Sequence, residues 1–442
     1  MASKNEVLTK NIRSMTYLRK NSSRGRSIAN SKAWTKKVLA RAGIPVPKLI
    51  ALFKNPRQVS GFSWQEADTS FVVKPTSGSG GQGVWVVKKK GKFAGEWFLA
   101  DGTKVGISDL HYHCLDILEG RYSLGGFPDR VLVEERVKIH PKFLRFTKTG
   151  TPDIRVVVYN KIPVMAMMRI PTEESRGKAN LEQGAIGLGI DLATGITTYG
   201  VQGKQQIITK IFDLKRKKWI KVNGIKIPEW KRILQTSIEC SFAIEGLSYF
   251  GADIFLDKDK GPMVVELNAR PGLSIQISNR AGLRIRLEKA EGLKVRNVDH
   301  AVKIAQTLFG ESFVDKVKAE EGIKVVEVLE TVKIKGKKGK RHELLAKIDT
   351  GALRSSIDED FAKGLGLLDP DNILFYRHYR SALARKHERP VIALTFYLKG
   401  RKIKTAANVT KRSHLNTPML IGRRDLGGFL VKPEPVTTGP AV

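Results

Sequence analysis

Short apolar runs that each carry one or two charged residues dominate the first 290 positions. Gly251-Ala252-Asp253-Ile254-Phe255 and Val264-Val265-Glu266-Leu267-Asn268 predict buried strands, and a buried carboxylate is costly unless a charged partner meets it. Glu266 and Asn268 fall on one face of their strand, which stops at the turn-forming Arg270-Pro271-Gly272. Two carboxylates and an amide at such a place are hard oxygen ligands of the kind that suit Mg2+ carrying nucleotide phosphates. The bland alternative is a pair of amphipathic strands with incidental acids.

A third run, Phe71-Val72-Val73-Lys74-Pro75, delivers a lysine into Thr76-Ser77-Gly78-Ser79-Gly80-Gly81-Gln82-Gly83 before strand character resumes at Val84-Trp85-Val86-Val87. A glycine-rich turn between two antiparallel strands can fold over phosphates, with Gly78, Gly80, Gly81 and Gly83 freeing backbone N–H groups and Lys74 adding a point charge. It is not a P-loop, because the lysine precedes the glycines.

Further along, the pattern changes. His300–Val317 has helical spacing, with Ala301, Ile304, Ala305, Leu308 and Phe309 on one face. From Lys324 it becomes β-rich. Val325–Lys333 and Glu343–Ile348 bracket Gly336-Lys337-Lys338-Gly339 as a hairpin, and residues 434–442, rich in proline, predict disorder. No internal repeat is present.

In order along the chain, Lys74 with its glycine loop, Val131-Leu132-Val133-Glu134-Glu135, Asp153-Ile154-Arg155, Asp253 and Glu266-Leu267-Asn268 resemble the ATP-grasp ligases. Asn180-Leu181-Glu182-Gln183-Gly184 and Asn268-Ala269-Arg270-Pro271-Gly272-Leu273 bring the likeness toward the ribosomal-protein glutamate ligase and its α-L-glutamate ligase-like relatives, from about Arg24 to Ala290. The resemblance implies an ATP-dependent ligase using ATP with Mg2+ or Mn2+. It implies Lys32 and Lys74 as phosphate lysines, Glu134 at the interlobe hinge beside the adenine and Asp153 near the ribose. It further implies Arg155 at the γ-phosphate, Arg169 and Asn180 lining the transfer site, and Asp253, Glu266 and Asn268 on the metal. Lys32 reads equally as a solvated lysine at a helix start. Family ligases carry an α/β domain before the ATP-binding lobes; here 30 residues, seven of them Lys or Arg and one acidic, precede Ser31. The acceptor site is therefore expected to be completed by Gly91–Phe127, by Lys204–Trp230 or by another subunit.

The second β-rich stretch contains Ala346-Lys347-Ile348-Asp349-Thr350-Gly351, an apolar strand ending in a tight turn with a carboxylate. That is the active-site loop pattern of aspartic proteases, and with Pro418-Met419-Leu420-Ile421-Gly422-Arg423-Arg424 it resembles a retropepsin-like family described as ATP-dependent zinc proteases, over about Lys324 to Pro433. The resemblance implies Asp349, Thr350 and Gly351 as the catalytic loop. One loop gives one aspartate, whereas a peptide-hydrolysing dyad needs two sharing a proton. Either two chains pair, each contributing Asp349, or the domain is a binding module. Zinc finds little support, since His342, His387 and His414 lack ligand spacing.

Composition narrows the class. At 442 residues and 41% hydrophobic content the chain can bury more than one core, and no apolar stretch nears the roughly 20 residues that cross a bilayer. Cys114 and Cys240 match no zinc or redox pattern, and the N-terminus lacks the apolar segment of a secretory signal, so a cytoplasmic protein with reduced thiols is expected; the basic, acid-poor first 30 residues also faintly resemble a transit peptide. Lys and Arg outnumber Asp and Glu by 24 to 12 in residues 324–442 and by 54 to 31 before, so the net charge of +35 belongs to the whole chain. Such a field favours acidic partners, or is a simple solubility feature. The basic runs Lys88-Lys89-Lys90, Lys215-Arg216-Lys217-Lys218 and Lys335–Arg341 lack interleaved aromatics and read as charged hairpin turns.

The expectation is an α+β chain. It comprises a basic extension (1–23), an ATP-grasp ligase (24–320), a small all-β retropepsin-like barrel (324–433) and a tail (434–442). The ligase would join an amino acid, glutamate or another, to an acidic peptide or protein through an acyl phosphate, and the barrel would trim or hold the product, with a homodimer through the barrel as one arrangement. No membrane partner is expected, and nucleic acid is the less favoured one. The rival is a nucleotide-binding protein that binds acidic polymers or nucleic acid without ligase turnover.

Overall fold

The computed structural model describes residues 6–67, 70–77, 81–123, 125–203, 206–310, 324–337, 339–380, 386–412 and 417–432. Gly78, Gly80, His414 and the tail 434–442 lie outside them, as does the side chain of His387. The chain divides into two units, Met1–Glu291 and Gly292–Val442.

In the first unit, a small antiparallel sheet joins β1 (Leu49–Phe53), β2 (Phe71–Pro75), β3 (Trp85–Lys90), β4 (Glu96–Leu99), β5 (Lys104–Gly106) and β6 (Val131–Glu135) in the order β1-β6-β2-β3-β4-β5. The hairpin predicted around the glycine-rich loop is β2–β3, with Val73 opposite Trp85. The Gly91–Phe127 segment supplies two of these strands and the helix Ile107–Leu118. That helix buries Leu110, Cys114 and Ile117 among Phe71, Val73, Val87, Trp97, Val131 and Val133, so the segment builds this lobe's core.

A larger antiparallel sheet joins β7 (Asp153–Tyr159), β8 (Ile162–Ile170), β9 (Ile186–Ile190), β10 (Thr197–Gln202), β11 (Gln206–Ile208), β14 (Tyr249–Asp257) and β15 (Gly261–Asn268), in the order β11-β10-β9-β8-β7-β14-β15. Every residue of β8 is buried, and all of β14 except Phe255. Helices explain why these runs are apolar without alternation: Trp230–Ala243 packs on β7, β8 and β15, and Ile275–Asn279 and Leu283–Ala290 pack on β8. Between β11 and β14, β12 (Lys210–Asp213) and β13 (Lys218–Lys221) form a separate two-stranded hairpin, with Lys215-Arg216-Lys217 in its turn as the charge run predicts.

The residues expected to be a basic extension are tied by hydrogen bonds to this sheet and to the turn and helix that follow β15. The Leu8 amide donates to Gln276 Oε1 at 2.8 Å and Asn21 Nδ2 donates to the Tyr249 carbonyl at 2.7 Å. Arg13 Nη1 donates to the Pro271 carbonyl at 2.8 Å, which anchors the turn that ends β15.

In the second unit, β17 (Leu329–Lys335), β18 (Arg341–Asp349), β19 (Ser356–Asp358), β20 (Ile373–Arg380), β21 (Lys386–Leu398), β22 (Arg401–Thr410) and β23 (Met419–Gly422) run in the order β17-β18-β23-β19-β22-β21-β20. Because β17 also pairs with the far end of β21, at Ile334 opposite Phe396, six of these strands close into a barrel. Its interior holds Val332, Ile334, Ala346, Ile348, Ile357, Phe396, Ala407 and Met419. The predicted hairpin is present with shifted ends: Leu329–Lys335 pairs with Arg341–Asp349, while Val325 belongs to β16 (Lys324–Val326), which runs parallel to β24 (Phe429–Val431). The predicted helix spans Val298–Phe309, beginning at an Asn297 cap and ending at Gly310; the part expected at 311–317 lies outside the described residues.

Candidate active site

One turn of helix organises the phosphate-binding candidates. The helix Lys32–Arg41 is capped by Ser31, whose hydroxyl accepts from the Trp34 amide, and places Lys32 and Lys36 one turn apart on one face. Lys32 Nζ lies 3.9 Å from Glu266 Oε1 on β15. Lys36 Nζ lies 2.8 Å from Glu134 Oε2 on β6, and Lys74 Nζ, from β2, lies 2.5 Å from Glu134 Oε1. Both lysines and the glutamate are buried. The Lys36–Glu134 contact is a buried ion pair, and Glu134 is shared with Lys74, so two ammoniums divide one carboxylate. Burial lowers Lys36 to about 8 against the pull of Glu134. Burial raises Glu134, yet Lys74 and Lys36 together outweigh it and hold the carboxyl low.

Sequence reasoning named Lys32 and missed Lys36. The available signal was spacing, since a lysine four residues after a phosphate lysine on the same helix shares its face.

A second charged group fills the middle of the large sheet. Asp253 of β14 stands opposite Arg155 of β7 on one side and Glu266 of β15 on the other. Arg155 Nε donates to Asp253 Oδ1 at 2.7 Å and its Nη2 to Oδ2 at 2.6 Å, a two-pronged pair. Arg169 of β8 makes the same kind of pair with Asp153 and also reaches Asp253 Oδ2 at 2.9 Å. Burial pushes Asp253 up, but Arg155 and Arg169 outweigh it and leave the carboxyl below its usual range. For Asp153, burial and the neighbouring Asp253 charge win over Arg169, and the carboxyl is raised.

Asp253, Glu266 and Asn268 share one sheet face, since Asp253 and Glu266 are cross-strand partners and Asn268 follows two residues on. The donor set of two carboxylates and an amide oxygen fits Mg2+. Asp253 accepts from Arg155 twice, contacts Arg169 and accepts from Asn268 Nδ2 at 3.3 Å, so a cation there takes over bonds these donors now make. Among the described residues, no group of three His, Cys, Asp or Glu could hold a metal ion.

The glycine-rich loop is held at both ends. Asp129 accepts from the Thr76 hydroxyl at 2.5 Å and the Ser77 amide at 2.9 Å. At the other end, His113 Nε2 pairs with the Gly83 carbonyl at 3.1 Å and its ring stacks on Trp85 at 4.0 Å. Burial lowers His113 to about 4, so it stands neutral there. A Cβ at Gly83, where φ is +68°, would lie 2.6 Å from the Tyr122 ring, and one at Gly81 would touch the Lys178 stem at 3.4 Å. Asn180 accepts from the Glu182 amide at 3.0 Å and caps the short turn Leu181–Gln183. Asp129, His113, Trp85 and Tyr122 carried no motif signal.

Asp349 ends β18, opposite Gly422 of the parallel strand β23. Its Oδ1 accepts from the Gly351 and Ala352 amides, both at 2.9 Å, and the Arg423 amide donates to the Ala352 carbonyl at 2.8 Å. A Cβ on Gly422 would come within 2.6 Å of the Arg354 backbone, so glycine lets strand and loop touch. Thr350 is exposed. Arg412 is buried, donates through Nη1 to Ser356 Oγ at 3.2 Å, and is lowered by burial against the pull of Asp358 and Asp349.

No curated protein matches this chain. Among solved structures it is similar to the D-alanine–D-alanine ligase of Bacillus anthracis, at 17% identity over 68% of this chain and 72% of that one, with a TM-score of 0.32. It is also similar to the ATP-grasp ligase PsnB bound to a minimal precursor (16% identity, 61% of each chain, TM-score 0.32). A third is the biotin carboxylase of Campylobacter jejuni (15% identity, 65% of this chain and 53% of that one, TM-score 0.39). A family model described as sugar-transfer associated ATP-grasp matches residues 12–292, well over half of the 442. With that match running from Ile12 through both sheets of the first unit, the chain belongs to the sugar-transfer associated ATP-grasp family.

Proposed function

We propose that the first unit is an ATP-dependent carboxylate–amine ligase. The observation that carries this reading is the buried Lys36–Glu134–Lys74 cluster, in which two ammoniums face one carboxylate and leave a positive charge in excess. An uncompensated buried charge is costly, and an anionic phosphate chain entering between β2, β6 and the Lys32–Arg41 helix removes that cost. Lys74 and Lys36 would hold phosphate oxygens, with loop amides from Gly81 to Gly83 above them. Arg155 and Arg169 would turn from Asp253 toward the phosphoryl group passing from ATP to a substrate carboxylate, which leaves ADP and an acyl phosphate; an amine then attacks the acyl carbon, forming the amide as inorganic phosphate leaves. Asp253, Glu266 and Asn268 would hold Mg2+, which when bound offsets phosphoryl charge. Glutamate or another amino acid as the added group, and an acidic peptide as acceptor, belong to this proposal.

The test is phosphate release from Mg-ATP with single amino acids, with and without a glutamate-rich peptide, followed by mass spectrometry. Phosphate release that needs both an amino acid and Lys36 supports ligation. Nucleotide binding without amino-acid-dependent release supports the rival binding protein.

For the barrel we propose a retropepsin-like module that holds the product. The parallel β18–β23 pairing behind Asp349 supports the retropepsin-like reading. The count of carboxylates favours holding over cleavage: a proton-sharing dyad needs two aspartates, and one chain's loop offers Asp349 alone, its Oδ1 already accepting from the Gly351 and Ala352 amides.

A further inference from the structure

We propose that the β12–β13 hairpin docks the first unit onto an anionic lipid surface. In sequence the hairpin is a bare basic run. Pairing changes it, because Phe212 stands opposite Trp219 and Lys210 opposite Lys221. Directly paired residues share a face, so Lys210, Phe212, Trp219 and Lys221 form one side of the ribbon. The other side carries Ile211, buried, and Ile220, half-buried.

The outer face is built for an apolar and an anionic neighbour together. Trp219 is 64% exposed and Phe212 37% exposed, the two rings meeting edge to face at 5.6 Å. Among the described residues, Lys210, Lys215, Lys217, Lys218 and Lys221 have no acidic ion-pair partner. The turn that displays them is braced from within: Asp213, fully buried, accepts from the Lys215 and Arg216 amides at 3.1 Å each and pairs with Arg145.

Two projecting aromatic rings ringed by unpaired lysines match a membrane interface, where rings enter the headgroup layer and lysine stems reach lipid phosphates. A bare acidic peptide would use the lysines and leave the rings in water. Single-stranded nucleic acid would use stacked, open ring faces, whereas these rings lie at 71° to each other. Peripheral docking needs no spanning segment, and no helix among the described residues is long and apolar enough to be one. The expectation of no membrane partner, drawn from the missing apolar span, does not bear on this mode of contact. The proposal stands apart from the nucleotide site.

The experiment sediments the full chain with vesicles of phosphatidylcholine alone and of phosphatidylcholine mixed with phosphatidylglycerol. Binding is expected to the mixed vesicles only and to fall as salt rises. Trp219→Ala, and separately the triple variant Lys215→Glu, Lys217→Glu, Lys218→Glu, are expected to bind at least about tenfold more weakly, with the thermal midpoint and the affinity for nucleotide unchanged. Brominated phosphatidylglycerol is expected to quench tryptophan emission, and Trp219→Phe, the mildest change, to remove that quenching. Equal binding to neutral vesicles, no binding to either, or quenching that survives in Trp219→Phe overturns the proposal. So does a single-stranded oligonucleotide or acidic peptide that binds more tightly than the mixed vesicles through Trp219.

Discussion

The Lys36 ammonium lies 2.8 Å from the Glu134 carboxylate in a cleft that already holds Lys74 against the same carboxylate. Burial brings Lys36 down from 10.5 to about 8, which places its titration within reach of experiment. In the free protein the ammonium is present below about 8 and lost above it, while a bound phosphate stabilises the ammonium and raises its titration point. Nucleotide affinity is therefore expected to weaken as pH rises through about 8, with proton uptake on binding in that window. Calorimetry in buffers of different ionisation enthalpy reads the uptake directly. Lys36→Met should abolish it, and uptake that persists in that variant would place the titrating group elsewhere. Stability has the opposite slope: between about 8 and 10.5 the unfolded chain holds the proton that the folded one has released, so the nucleotide-free protein gains stability with pH there.

Glu266→Gln keeps the size of the side chain and removes a charge beside Lys32 and opposite Asp253. If the residue works on the transferring phosphoryl group, turnover should fall by at least ~100-fold with the thermal midpoint little changed. Lys74→Ala should weaken ATP binding itself if the proposed phosphate site is right, because that lysine pairs with Glu134 where the phosphates are proposed to enter. Wild-type turnover in Glu266→Gln would refute the metal assignment.

Much of this arrangement was legible because strands that bury charged residues advertise a partner. Phe71–Pro75, Asp153–Tyr159, Tyr249–Asp257 and Gly261–Asn268 all appear as strands, and the Asp253–Glu266 cross-strand pair follows from β14 and β15 being neighbours. What could not be read is which lysine of a helix reaches which strand: Lys36 looks like any solvated helical lysine until Glu134 of β6 covers it. The cross-strand meeting of Phe212 with Trp219 was hidden for the same reason, since strand pairing joins residues that the turn separates. The Gly91–Phe127 segment, expected from sequence to help complete an acceptor site, has short strands and one amphipathic helix, and only the sheet order shows it completing a core.

Gly150 tests how tightly the loops around the large sheet close. Its φ is +76°, and a Cβ there would lie 1.9 Å from the Gly177 carbonyl oxygen, a backbone atom with no freedom to yield. Gly150→Ala combines an unfavourable backbone conformation with a backbone clash, and should cost about 2 kcal/mol or more in chemical denaturation. Gly43 serves as the control, having a φ of +73° and open space around its Cβ, so Gly43→Ala should cost less. Equal costs for the two would show that the 150–177 contact yields without strain.

The barrel's loop separates holding from cleavage by its response to concentration. One chain offers one Asp349, so a shared-proton dyad needs two chains related by a two-fold axis, and its rate must rise faster than linearly with protein. Holding needs no second chain. With Asp349 Oδ1 held by the Gly351 and Ala352 amides as a turn brace, no cleavage of glutamate-rich peptides is expected at any concentration. Asp349→Asn should weaken retention of the ligation product and leave phosphate release at its wild-type rate, because Asp349 belongs to a unit with its own core. Cleavage that climbs with concentration, vanishes in Asp349→Asn and is poisoned beyond dilution when mutant and wild-type chains are mixed would reverse the assignment, since every mixed pair would lack one carboxylate.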